Sequence, residues 1–285
     1  MIIDAHNHPH YLGFDTGKIL DNMKRYRIDK TWLLTLETPR DEYSPYYHRV
    51  TMGDPDAPIP LSSCVACMRE APDRFILGYA PDARRPDSID RLDAAIELYG
   101  VRVYGEVMLR MTYDNPDAIR MFRHCGDKGL PVIVEVTYGF DVAGCGPRSE
   151  YWYGGSIEAF ERAVQACPQT TFLGHGPGFW AHLSGDDLFS RAAYPSGPIV
   201  PGGKVVEMMR AYDNLYLDLS AGSGQNALKR DLGFTKEFLL EFQDRALYGR
   251  DQFDNGLQDL LNGLGLDEEV LAKIYAHNAN KLVPC

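Results

Sequence analysis

A chain of 285 residues that is 45% hydrophobic, 24% charged and 11% aromatic has the composition of a soluble globular protein, at a length common for one-domain α/β barrels. Lys plus Arg is 29 and Asp plus Glu is 40, so the formal charge of −11 repels phosphate backbones and anionic lipid and speaks against nucleic-acid or membrane-surface roles. No apolar run approaches the roughly 18–20 residues that span a bilayer. The opening MIIDAHNHPH lacks the basic lead and apolar core of a signal peptide, so a cytoplasmic location is expected.

Short apolar, β-branched runs recur at 2–5, 31–36, 75–79, 101–107, 132–136, 171–174, 215–219 and 246–249. Each is nearly continuous in apolar character, as suits strands buried on both faces of a parallel sheet. Helical patterns lie between them, including 88–99, 116–128, 156–166, 204–212 and 235–243, with Ser88 and Ser156 as expected N-caps and Pro116 in a first turn. Cys64 and Cys67 fall on a further helix ending near Pro72, and with no second pair nearby all six cysteines are expected as free thiols. Eight strands alternating with helices predict a (β/α)8 barrel over 1–285; a doubly wound open sheet is the alternative, disfavoured because no glycine fingerprint follows the first strand. Three irregular stretches, near 37–61, 138–155 and 176–203, each follow a strand. They are expected as lid loops on the C-terminal rim.

The strongest chemical signal is His6-Asn7-His8 at the end of the first strand. Alternate residues of an extended segment face one side, and their spacing of about 6.6 Å lets two imidazoles meet one metal ion. His10, after Pro9, reads as a loop histidine. Glu106, Glu135, His175 and Asp251 lie within or at the ends of later strands. A carboxylate in an apolar strand must find a counter-charge: an arginine such as Arg102, Arg110 or Arg250, or one divalent cation that satisfies them all. Nitrogen and oxygen donors without thiolates favour zinc, with manganese, iron or nickel as other occupants.

The segments IIDAHNH, APDRFILGYAP, GVRVYGEVML, LPVIVEV, TFLGHGPGF, NLYLDLS, ALYGRDQF and KIYAHNANKLV follow one another in an order that resembles the amidohydrolase superfamily over nearly the whole chain. The likeness is to the branch containing aminocarboxymuconate semialdehyde decarboxylase. It implies that His6, His8 and Asp251 bind metal, that Asp251 also handles a proton, and that His175 is a ligand or an acid/base. Glu106 would approach a second metal. Glu135 departs from the pattern, since those relatives carry histidine after the fifth strand. Three carboxylates beside three neutral imidazoles leave the site net negative with one divalent ion; two ions, or protonation of one carboxylate, balance it better, and a site that can hold two metals is the expectation. In the last segment His277-Asn278-Ala279 reads as packing.

Around this centre Tyr138, Tyr151, Trp152, Tyr153, Phe179 and Trp180 are candidate pocket walls. Arg110, Arg148 and Arg250 are candidate partners for a substrate carboxylate, and His48 and His182 read as surface residues. The expected function is a metal-dependent hydrolase in which activated water attacks a small lactone, cyclic amide or ester, with Asp251 as general base and His175 assisting. Non-oxidative decarboxylation is the alternative, and a non-catalytic metal barrel a weaker one. The expected partner is a small molecule, and a homodimer the expected assembly.

Overall fold

The computed structural model describes residues 1–42, 59–137 and 152–285. Eight short strands alternate with helices: β1 (Ile3–Asn7), β2 (Lys30–Leu33), β3 (Phe75–Leu77), β4 (Tyr104–Val107), β5 (Val132–Glu135), β6 (Phe172–His175), β7 (Leu215–Asp218) and β8 (Ala246–Leu247). All are parallel to their neighbours, in the order β1-β2-β3 and β4-β5-β6-β7-β8. Backbone bonds join the two sheets at both seams. Tyr79 N–H donates to Val103 (3.0 Å) and Arg102 N–H to Leu77 (2.9 Å), while Ala5 N–H donates to Tyr248 (2.9 Å) and Asp251 N–H to His6 (2.8 Å). The strands therefore form the expected (β/α)8 barrel.

Inside it, Ile3, Ala5, Trp32, Leu34, Ile76, Val103, Ile133, Leu173, Tyr216 and Leu247 pack as one apolar cluster. Ala276, Ala279 and Val283 of the C-terminal helical segment complete that cluster and cover this end of the cylinder. A larger apolar shell, in which Phe122 meets Phe172 and Phe160 meets Phe179, fills the space between strands and outer helices. The helices start where local chemistry dictates. Asn115 caps the helix Pro116–Lys128 by accepting from Asp117 N–H, and Ser156 caps Ile157–Ala166 by accepting from Ala159 N–H.

Some local expectations change. Ser88 is not a cap: Asp87 takes the N-cap position and Ser88 is buried inside the helix Ser88–Tyr99. Cys64 and Cys67 lie in the helix Leu61–Glu70, and the five described cysteines are free. Asn278 donates to Gln243 (2.7 Å) and Ala246 (2.8 Å) carbonyls, so it packs as expected, while His277 is exposed. Much of the first two rim stretches, with His48, Tyr138, Cys145, Arg148 and Tyr151, lies outside the described residues. The third stretch carries a short helix, Pro177–Ala181, and a 3₁₀ turn, Leu188–Ser190. Among the described residues no helix is long and apolar enough to cross a membrane.

Candidate metal centre and active site

One strand position above the apolar layer, the interior changes chemistry. On β5, β6 and β7 the period of two carries Ile133 to Glu135, Leu173 to His175 and Tyr216 to Asp218. The pairing of β1 shifts register between Asp4 and Asn7, and that of β4 between Tyr104 and Val107. His6 and Glu106 lie within these irregular segments and His8 just past the first, and all three turn toward the same end; the Gly105–Glu106 peptide is cis. Past β8, Asp251 adopts a left-handed backbone (φ 48°), costly for a residue with a Cβ, and is held there by its N–H bond to the His6 carbonyl.

The result is a tight cluster. His6 Nε2 lies 3.1 Å from His8 Nε2, and Glu106 Oε2 is 3.5 Å from the first and 3.3 Å from the second. Asp251 Oδ1 stands 3.4 Å from His8 Nε2, and Asp251 Oδ2 is 3.8 Å from His175 Nε2. His175 Nε2 is also 3.6 Å from Glu135 Oε2 and 3.8 Å from Glu106 Oε1. All six predicted ligands thus converge. They fall into two sets with metal-ligand spacing, His6–His8–Asp251 and Glu106–Glu135–His175.

The outer side of each imidazole is occupied. His8 Nδ1 donates to the Leu34 carbonyl (2.9 Å) and His6 Nδ1 to Asp218 Oδ2 (2.6 Å). His175 Nδ1 meets Ser220 Oγ (3.1 Å) and Asp218 Oδ2 (3.3 Å). With Nδ1 carrying the proton, each Nε2 presents its lone pair to the shared centre, the arrangement that metal-ligating histidines require. The electrostatics agree. Burial opposes protonation of His6 and His8, but the surrounding carboxylates outweigh it and raise both; His175 is raised to about 9 by Asp218 against the same burial. Glu106 and Asp218, despite burial, are held well below the usual carboxylate range by these imidazoles. Burial pushes Glu135 up to about 8, with Glu106 adding to the effect and His175 opposing it. The metal-free cluster gathers protons where a cation would sit, so the donor set fits a divalent ion.

Asp218 is the residue the sequence reasoning missed. Its signal was present, a carboxylate closing the apolar run LYLD just as Glu135 closes VIVE. Arg250, expected to meet a substrate carboxylate, donates from Nε to Asp4 Oδ2 (2.8 Å) and from Nη1 to Asn22 Oδ1 (2.6 Å), tying the segment after β8 to β1 and to the helix Thr16–Tyr26, while its buried Nη2 has no partner among the described residues. Asn7 joins the same brace through Asp4 (3.0 Å) and the Gln252 carbonyl (2.9 Å). The backbone N–H of Arg110 donates to Glu42 Oε2 (2.7 Å); its side chain lies beside Tyr153, and its buried Nε has no partner among the described residues. Phe179, Trp180 and Tyr153 are buried packing residues, with Trp180 Nε1 donating to the Asp218 carbonyl (3.1 Å). His182, read as a surface residue, is buried against Phe189.

A cavity of about 250 Å³ opens onto the cluster, lined on its polar side by Glu106, Glu135, His175 and Asp251 and elsewhere by Tyr11, Met108, Pro177 and Tyr194. Gly176 (φ 92°) borders Glu135 so closely that any side chain there would strike the carboxylate. Tyr194 reaches solvent along one edge; burial, with Glu135 and Asp251 nearby, pushes its phenol up to about 12, leaving the hydroxyl a donor at neutral pH.

A family profile described as amidohydrolase matches residues 3–285. No curated protein gives a significant match. Among solved structures, an uncharacterized TIM-barrel protein from Bordetella bronchiseptica is 17% identical at a TM-score of 0.66, covering 99% of this chain and 97% of that one. A dihydroxybenzoic acid decarboxylase from Polaromonas, with bound manganese and the inhibitor 2-nitroresorcinol, is 13% identical at 0.64, covering 99% and 96%. A probable 2-pyrone-4,6-dicarboxylic acid hydrolase from Acinetobacter baumannii, with citric acid bound, is 10% identical at 0.60, covering 99% and 98%. At these identities the likeness is one of fold.

Proposed function

This chain belongs to the amidohydrolase family and is a metal-dependent enzyme, and from that premise we propose that it hydrolyses a small polar lactone, cyclic amide or ester. His6, His8 and Asp251 would hold a divalent cation, and Glu106, Glu135 and His175 either complete its shell or hold a second. The all-nitrogen-and-oxygen donor set suits zinc or manganese. Glu106, Glu135, Asp218 and Asp251 are all buried there; with every carboxyl ionised two ions balance the charge better than one, while protonation of Glu135 brings a single ion closer to balance. Bound there, such an ion supplies Lewis-acid polarisation of a carbonyl and a lower pKa for water.

The chain's own residues do the rest. Asp251 takes the proton from the attacking water and returns it to the leaving group. Its left-handed backbone fixes the carboxylate between the imidazoles and the cavity, and this double placement is the observation that carries the reading. Asp218 keeps His6 and His175 from rotating, and Glu135 crowds the cavity wall beside them.

Non-oxidative decarboxylation is the second reading, supported by the fold shared with the dihydroxybenzoic acid decarboxylase. The two part on products. Lactones, cyclic amides, esters and aromatic acids are offered to the metal-loaded protein in ¹⁸O-labelled water. Hydrolysis incorporates label into a new carboxyl group without gas. Release of carbon dioxide, with a solvent proton on the vacated carbon, would overturn hydrolysis in favour of the second reading. Loss of turnover on chelation, restored by added metal, excludes a non-catalytic barrel.

A further inference from the structure

The two segments that carry His6, His8 and Asp251 also carry a second set of buried polar residues, Asp4 and Asn7 on β1 and Arg250 after β8. Ile3 and Ala5 enter the inner apolar cluster, so Asp4 between them faces outward from the barrel. Its Oδ1 accepts from the Arg250 N–H (2.8 Å) and, at longer range, from the His6 N–H (3.4 Å). Its Oδ2 accepts from Arg250 Nε (2.8 Å) and Asn7 Nδ2 (3.0 Å). Asn7 then spans both segments: its Oδ1 accepts from the His8 N–H (3.0 Å), and its Nδ2 donates also to the Gln252 carbonyl (2.9 Å). The Arg250 guanidinium continues to Asn22 Oδ1 (2.6 Å). Each member of the set His6–His8–Asp251 is thereby gripped through the main chain, the histidines at their own N–H groups and Asp251 at the residue on either side of it.

We propose that Asp4, Asn7 and Arg250 are positioning residues, a frame that sets the separation of His6, His8 and Asp251 and holds Asp251 in its left-handed backbone. The inference rests on the reading of that cluster as a metal centre, and adds to it the device that keeps ligands from the first and last strands in register. None of the frame's hydrogen bonds involves an imidazole or the Asp251 carboxylate, so it acts through the main chain alone. Asp218, which meets the imidazoles directly, does a different task. An ion pair taken out of water returns little net stability over apolar side chains of the same volume, so what Asp4 and Arg250 contribute is geometry. A cation site needs it, because its ligand distances must hold to about 0.2 Å.

Manganese affinity, measured by competition with a chelator, and the visible spectrum of the cobalt-loaded protein test this, with the fold of each variant checked by circular dichroism. The double variant Asp4→Asn/Arg250→Gln removes both buried charges together, so neither is left unpaired. It should weaken manganese binding at least tenfold and shift the cobalt bands. Asn7→Ala, which disturbs no charge, should weaken binding at least threefold and shift them also. Arg230→Met breaks another buried arginine–aspartate pair, to Asp186 (2.7 Å), at the end of the helix Ala221–Lys229 remote from the cavity, and should change neither readout. A folded frame variant that binds manganese within twofold of wild type, with its cobalt bands unmoved, overturns the proposal. An equal loss in Arg230→Met also overturns it, by making the effect one of general stability. If the double variant does not fold, Asn7→Ala decides by the same criteria. Wild-type protein that takes up neither metal defeats the metal-centre reading itself, whereas normal uptake with indifferent variants defeats the frame alone.

Discussion

Leu173 and His175 are two residues apart on β6, both buried and both pointing into the barrel, yet different physics holds them. The layer of Leu173, with Trp32, Ile133, Tyr216 and Leu247, gains from every apolar surface it removes from water and asks only that volume be filled. The layer of His175, with His6, His8, Glu106, Glu135, Asp218 and Asp251, removes charges from water and is tolerable only because each has a partner. The lower layer supplies stability; the upper layer spends part of it to gather groups that solvent would otherwise separate. Substitutions should therefore act on different observables in the two layers.

The largest effect is expected at Asp251. Asp251→Asn keeps shape and hydrogen bonding but removes the base, so turnover should fall by about 10²–10⁴-fold with the circular dichroism spectrum unchanged; undiminished turnover would defeat its assigned role. In the lower layer, Leu173→Ala should cost about 2–5 kcal/mol in urea unfolding, leaving metal affinity per folded molecule as it was. Asp218→Asn should do the reverse. It releases the Nδ1 sides of His6 and His175 and should weaken metal binding about 10–100-fold, with a smaller change in unfolding. If both substitutions move both quantities alike, the two layers are one.

The smallest effect is pH dependence of metal uptake. The histidines of the metal-free cluster hold protons above their ordinary range, and those protons must leave when a cation binds. Because the folded-state pKa is raised, protons compete most at low pH. Affinity measured by competition with a chelator should therefore rise as pH increases through about 9, where His175 loses its proton. Affinity already flat from pH 6 upward would show that the imidazoles are neutral in the empty site.

Much of this was legible in the chain. All eight apolar runs became strands because burial on both faces leaves a signature that few other elements share. His6, His8, Glu106, Glu135, His175 and Asp251 stood out because charged or imidazole groups at the ends of such strands have no apolar reason to be there. Asp218 has the same signature and was passed over, since sequence does not distinguish a group facing a metal from one bracing its ligands. For Arg250, adjacency to Asp251 suggested substrate contact, and nothing in the sequence signalled its bonds to Asp4 and Asn22, which come from the first 22 residues. Trp180 and His182 look like loop residues in sequence and are buried because the segment after β6 folds back over the barrel wall as a short helix.

The account rests on the six converging side chains forming a cation site. Crystals of the protein grown with manganese, measured at the manganese absorption edge, test this directly. The expected result is an anomalous peak within coordinating distance of His6 Nε2, His8 Nε2 and an Asp251 oxygen, with a second beside Glu106, Glu135 and His175 if two ions bind. A cluster in this same geometry with no anomalous density at saturating manganese or zinc would contradict it.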